Sequence, residues 1–171
     1  LTKDYKEVKA TMEEEYKAKG QTLTNSEDWK KANDMVERLA TCGLLQKRLT
    51  GKYQVEFNED IDGVPLRGFL DCLGDGYITD SKSSRSVEKF RYDVNSFSYD
   101  IQAYIYTKVF NIKDYYWVVQ EKTFPYYPAE IKCSEETLFK GEMKFHQALE
   151  NIKAYLDKKQ PELNCYASFT V

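Results

Sequence analysis

The stretch Gly68-Phe69-Leu70-Asp71-Cys72-Leu73-Gly74-Asp75-Gly76-Tyr77-Ile78-Thr79-Asp80-Ser81-Lys82 carries the pattern on which the fold turns. Two apolar-rich runs flank Gly74-Asp75-Gly76, and such a triplet suits a tight reversal, so strands are expected over 66–73 and 77–82 as an antiparallel hairpin. Side chains alternate along a strand, which puts Ile78, Asp80 and Lys82 on one face. A two-residue loop of Gly74 and Asp75 pairs Leu73 with Gly76. It sets Asp71 opposite Ile78, on the same face as Asp80 and diagonal to it. A three-residue loop sends Asp71 to the other face. Two carboxylates and an ammonium meet only in the first register.

Working outward, the two-residue period continues upstream at Tyr53, Val55 and Phe57, and Asp62-Gly63 marks a turn. Before that the chain reads as helical. Residues 3–19 space Tyr5, Val8, Met12 and Tyr16 three and four apart, with Gly20 as the stop. Ser26 is the expected N-cap of a second helix, with Glu27 and Asp28 in its first turn and Trp29, Ala32, Val36 and Leu39 as its apolar stripe. A short helical turn over 44–49 ends at Gly51. Downstream, 83–95 reads as a polar surface loop, 99–110 as a helix, and 115–121 as a strongly β-prone strand. Pro125 and Pro128 break the chain, and 129–133 supplies a last strand. Ser134 caps a helix reaching about Leu156, with Leu138, Phe145, Leu149, Ile152 and Leu156 on its buried face. This order predicts a mixed α/β (α+β) class: one domain over 1–171, with a small central mixed sheet flanked by helices.

Composition narrows the function. The chain has 171 residues, of which 42% are hydrophobic and 31% charged, enough for one domain with a real core. A net charge of −3 excludes a protein that coats nucleic acid over its whole surface, so any DNA-binding face must be local. The four cysteines, Cys42, Cys72, Cys133 and Cys165, lie far apart with no C-x-x-C pair; this argues against zinc and iron–sulfur sites and for reduced thiols. No apolar run approaches the roughly 18 residues of a membrane span and no signal peptide opens the chain, so a cytoplasmic location is expected. The first residue is Leu1 rather than Met, which reads as an N-terminally trimmed or internal fragment.

Cleaving a phosphodiester needs a nucleophilic water and a counter to the charge that builds on phosphate. Two carboxylates such as Asp71 and Asp80 suit a hard cation, Mg²⁺ or Mn²⁺, and the carbonyl of Ser81 is a possible further oxygen ligand. An adjacent Lys82 can polarise water and touch the scissile phosphate. Spacing alone is weak evidence, since Asp and Lys at a strand end are ordinarily solvated. The run Lys82, Arg85, Lys89 and Arg91 reads either as phosphate contacts or as a solvated loop. The series Tyr92, Phe97, Tyr99, Tyr104, Tyr106, Tyr115, Tyr116 and Trp117 suits core packing more than stacking on unpaired bases.

Several motifs resemble one family in order and spacing. Asp80-Ser81-Lys82-Ser83-Ser84 resembles the D-L-K-T-T strand of RecE-like (exodeoxyribonuclease VIII-like) nucleases of the PD-(D/E)XK superfamily, phage type. The segment from Gly63 to Asp71 is similar to the one that brings that family's first Asp. Phe97-Ser98-Tyr99-Asp100-Ile101-Gln102-Ala103-Tyr104-Ile105-Tyr106 resembles its Y-x-x-Q-A-x-x-Y helix, and the likeness extends from about Thr22 to Tyr155.

The resemblance implies a PD-(D/E)XK fold and Mg²⁺-dependent exonuclease action on ends of linear double-stranded DNA. It further implies 5′-to-3′ polarity, a role in homologous recombination beside a single-strand annealing protein, and assembly as a homo-oligomeric ring. It makes Asp71 and Asp80 metal ligands and Lys82 the catalytic lysine. Gln102 and Tyr106 then face the site, contacting phosphate or orienting the lysine, and Glu56 matches a further acidic position. The family's upstream G-x-x-x-H helix has no counterpart here: the one histidine, His146, falls in the C-terminal helix pattern and reads as a structural or surface residue. That departure keeps two alternatives open, a nuclease-like DNA-binding or assembly module without catalysis and a restriction-type endonuclease.

Overall fold

The computed structural model describes residues 3–20 and 25–157. The backbone divides into two compact units, Leu1–Arg38 and Leu39–Val171.

In the first unit, α1 (Lys3–Ala18) stops at Gly20, whose φ of +68° is the left-handed turn that glycine adopts freely. Met12 is exposed and Tyr16 half-buried, while the side chains of Tyr5 and Val8 lie outside the described residues. The cap of α2 (Ser26–Ala40) is Asn25, not the expected Ser26. Asn25 Oδ1 accepts the Asp28 N–H at 2.7 Å, and its Nδ2 donates to Asp28 Oδ2 at 2.6 Å. Asparagine caps as well as serine does, and its amide adds the second bond. The apolar stripe expected on α2 is displayed, not buried: Trp29 and Val36 are each 63% exposed.

The second unit begins with α3 (Gly43–Arg48) and a meander of β1 (Lys52–Ile61), β2 (Val64–Leu73) and β3 (Tyr77–Ser84). Helices α4 (Phe90–Ser96) and α5 (Tyr99–Phe110) then cross over to β4 (Asp114–Glu121), followed by β5 (Pro128–Lys132) and α6 (Glu135–Leu156). The sheet order is β1-β2-β3-β4-β5, and every pair is antiparallel except β3–β4, which the crossover makes parallel. The segment 83–95 is thus no surface loop. Ser83 and Ser84 extend β3, and α4 follows because Phe90 and Val94, one helical turn apart, are both buried. The charged residues between them mask that spacing in the sequence.

Strand β4 is buried without a break from Tyr115 to Gln120 because both of its faces are covered. Tyr115, Trp117 and Val119 join Ile78, Phe90, Val94, Ala103 and Tyr106 in the main core. Helix α6 is capped as the sequence indicates, Ser134 Oγ accepting the Thr137 N–H at 3.1 Å. Phe145 and Leu149 are buried and Leu138 is half-buried, but Ile152 and Leu156 are exposed, against expectation. The reason is length: α5 has 12 residues and α6 has 22, so the last turns of α6 outrun the helix beside them.

Gly141 sets the contact between these two helices. A Cβ there lies 2.1 Å from the carbonyl oxygen of Asp100. Gly141→Ala is therefore expected to lower stability by roughly 1–3 kcal/mol through forced separation of α5 and α6. Urea unfolding checks this, and an unchanged midpoint contradicts it.

Candidate active site

The hairpin register differs from the one expected, yet keeps its parity. Leu73 pairs with Ile78 and Cys72 with Thr79, so the loop is longer by two residues. Gly74 donates its N–H to Tyr77 O at 2.9 Å, and the Tyr77 ring lies so close over Gly74 that a Cβ there would stand 2.1 Å from it. Tyr77 is held in the reversal by its hydroxyl, which reaches Lys47 O at 2.6 Å and Thr50 O at 2.9 Å. A shift of two residues leaves every side chain on its face. Continued by one pair, this register sets Asp71 across from Asp80.

The ladder does not continue. β2 and β3 share only those two pairs, whereas β3 runs alongside β4 from Tyr77 to Ser84. The strands fork at Asp71, and its carboxylate spans the opening, accepting the Ser81 N–H on Oδ2 at 2.8 Å. Gln54 donates to Oδ1 at 3.4 Å. Asp80 lies beside Trp117 and Lys82 beside Val119 in the parallel register, on the face packed under α4 and α5.

Asp80 is only 3% exposed. The Lys82 Nζ stands 2.5 Å from its Oδ2. Burial pushes the Asp80 carboxyl up to about 6, against the opposing pull of Lys82, and the nearby Asp71 charge adds to the rise. The Lys82 ammonium also sits 4.7 Å from the centre of the Tyr99 ring, a cation–π contact the sequence reading did not foresee. Behind Asp80, the buried Tyr115 hydroxyl and Trp117 Nε1 have no hydrogen-bond partner, and burial with the Asp80 charge holds the Tyr115 hydroxyl neutral. This is a cluster of buried polar groups inside an apolar core, where fixed charge is costly unless something compensates it.

The donor set fits a hard divalent cation. Asp71 and Asp80 are the acids at the fork, near enough for the Asp71 charge to act on the Asp80 carboxyl, and Mg²⁺ commonly binds through one or two carboxylates while keeping water. Among the described residues no third Asp, Glu, His or Cys joins them. Glu56 is not brought to the fork; it pairs with Arg67 at 2.6 Å on an exposed part of the sheet. Gln102 and Tyr106 are joined to each other rather than to Lys82. Gln102 Nε2 donates to the Tyr106 hydroxyl at 3.2 Å, and that hydroxyl donates to Phe69 O at 3.0 Å. They thereby anchor α5 to β2 two residues before Asp71, while Asp80 and Tyr99 orient the lysine. Arg85, Lys89 and Arg91 are exposed, Arg91 against the Tyr92 hydroxyl at 3.0 Å. His146 lies at the surface against Tyr104 and Phe145, consistent with a structural role. Cys72 and Cys133 are free and buried, and burial lifts the Cys133 thiol to about 12, so neither is a reactive thiolate.

A mixed sheet flanked by helices, with an Asp at the strand fork and Asp-x-Lys on the neighbouring strand, is the PD-(D/E)XK-like arrangement. The chain belongs to the PDDEXK-like domain of unknown function family (DUF3799), which matches residues 2–166. It is also similar to a crystal structure from Eubacterium rectale described as "Putative exonuclease", with a TM-score of 0.70 and 18% identity. The match covers 83% of this chain and 57% of that one, so this chain spans little more than half the length of that protein. No curated protein sequence matches. Among the described residues no helix is long and apolar enough to cross a membrane.

Proposed function

We propose that this chain is a divalent-cation-dependent deoxyribonuclease that acts on ends of linear duplex DNA. The observation that carries this reading is the buried Asp80 carboxyl, ion-paired to Lys82 and placed beside Asp71 where two strands part. A buried acid with a raised pKa and a single ammonium partner is a costly arrangement for structure alone.

Asp71 and Asp80 would hold Mg²⁺ or Mn²⁺, with the Ser81 carbonyl as a further oxygen donor. When bound, the cation supplies positive charge at the phosphate and a more acidic water. Asp80 would have to be ionised to hold it, and a cation on that carboxylate would free Lys82 from its ion pair. The freed ammonium, braced on Tyr99, donates to a phosphate oxygen or to the attacking water. Asp71 keeps its orientation through the Ser81 N–H. The family resemblance extends the proposal to a 5′-to-3′ exonuclease of phage-type homologous recombination, working beside a single-strand annealing protein and assembled as a ring.

A second reading, a DNA-binding or assembly module without catalysis, is favoured by one observation: only two acids meet at the fork among the described residues. Incubation with linear and covalently closed circular duplex separates the readings. The expected result is Mg²⁺-dependent loss of the linear form, none in EDTA, and an intact circle. Cutting of the circle indicates an endonuclease; survival of both forms, with DNA still bound, indicates the binding module.

A further inference from the structure

We infer that Phe97 is a stacking platform for an unpaired base at the end of the DNA strand entering the site. This rests on the nuclease reading above and adds to it the form of the substrate.

Phe97 stands at the corner between α4 and α5 with 63% of its surface exposed. The corner is made by Ser98, a non-glycine residue at φ +55°, ψ +37°, whose side chain caps neither helix. A left-handed serine without a compensating cap costs free energy, and strain of this kind collects at functional positions. Its effect is to hold Phe97 away from the core and beside the next ring in line. The Phe97 and Tyr99 centroids are 5.6 Å apart at 34°. Tyr99 in turn stacks on buried Phe90 at 5.9 Å and carries the Lys82 ammonium on its face at 4.7 Å. A continuous aromatic path thus runs from solvent to the lysine proposed to meet the scissile phosphate. Phe97 is one ring removed from that ammonium.

The surroundings favour a nucleic acid over an apolar protein partner. Between Lys82 and Phe97 lie four cations, Lys82, Arg85, Lys89 and Arg91, and two acids, Glu88 and Asp93, the second of which is held by the Ser84 hydroxyl, in a chain whose net charge is −3. Arg91 lies over the exposed Tyr92 ring on the same short helix. Exposed cations at Arg85, Lys89 and Arg91 followed by exposed rings at Tyr92 and Phe97 match a strand whose phosphates are charged and whose bases offer flat faces. Inside a duplex both faces of each base are covered by stacking, so a ring beside the lysine that meets the scissile phosphate finds its free face on a base that has left the stack.

The test uses linear duplex with a one-nucleotide overhang of 2-aminopurine, in EDTA so that cleavage cannot proceed. The wild-type chain is expected to change the probe's fluorescence on binding. Phe97→Ala abolishes that change and weakens binding roughly 5- to 100-fold, the range of one base–aromatic stack. Phe97→Tyr restores both. On the same duplex with an abasic overhang, wild type and Phe97→Ala bind alike. Equal fluorescence changes in wild type and Phe97→Ala overturn the inference, as does an equal loss of affinity on the abasic duplex. A shift of Phe97→Ala from dimer to monomer in sedimentation, with the fluorescence change intact, also overturns it and assigns the ring to a protein interface. Stacking can fail while Mg²⁺-dependent cleavage persists; absence of any cleavage or binding brings down the nuclease reading itself.

Discussion

Asp80→Asn is expected to lower Mg²⁺-dependent cleavage by roughly 10³-fold while making the metal-free protein more stable at neutral pH. The two effects share a cause. Burial raises the Asp80 carboxyl to about 6, so the folded state holds this proton more tightly than the unfolded chain does. Its contribution to stability is full below the ordinary aspartate range, declines as pH rises through about 6, and is flat above. A shift of about two pH units corresponds to at most roughly 3 kcal/mol, and less if the pair relaxes. Asparagine resembles the protonated acid and carries no charge to bury. In EDTA, the urea midpoint of Asp80→Asn should exceed that of wild type at pH 7.5 and approach it only near pH 3, below the ordinary aspartate range. The wild-type cleavage rate should fall below pH 6 for the same reason, because a protonated Asp80 cannot hold a cation. A variant less stable than wild type at pH 7.5 contradicts this account of the buried charge.

Lys82→Met is expected to lose cleavage by roughly 10²- to 10³-fold without losing the cation. The ammonium stands 2.5 Å from Asp80 Oδ2, an oxygen that a cation would need. Removing it takes away a competitor, so Mn²⁺ affinity measured by calorimetry at pH 8 should be unchanged or higher. Asp80 loses the partner that favours its ionised form, and the acidic limb of any residual activity should move to higher pH. This pattern separates the lysine from the acids: Asp80→Asn loses cation and cleavage together, whereas Lys82→Met loses cleavage alone. Wild-type rates in Lys82→Met, or complete loss of Mn²⁺ binding, contradict the role given to the lysine.

Much of this was legible because local signals agree. Gly74-Asp75-Gly76 between apolar runs marks the hairpin, and parity carries Asp71 and Asp80 to one face although the loop is two residues longer than the sequence suggests. The loop length is set by Tyr77, whose hydroxyl bonds to backbone carbonyls some thirty residues upstream, beyond the reach of turn chemistry. Helix α4 was missed because its two buried residues are embedded among charges. The cap of α2 moved by one residue because Asn25 and Ser26 are both good caps, and only the bond to Asp28 decides between them. At the site, strand alternation puts Asp80 and Lys82 on one face, and the roles proposed for them and for Asp71 come from the family resemblance. The fork could not be read from the sequence, since the end of a ladder depends on how β4 draws β3 away from β2. Tyr115 and Trp117 reach the site through that same long-range packing, and nothing in their local sequence sets them apart from core aromatics; Tyr99 opens the Y-x-x-Q-A-x-x-Y motif, but its contact with Lys82 depends on that packing too.

The most direct test of the central claim is a crystal grown with Mn²⁺ and examined for its anomalous signal. A peak between Asp71 and Asp80, with a carboxylate oxygen from each in its coordination sphere and Lys82 drawn off Asp80, is the predicted result. Saturating Mn²⁺ with no peak at the fork and the Lys82–Asp80 pair still closed would mean that these side chains form a structural ion pair, and the cation-dependent chemistry proposed for them would not stand.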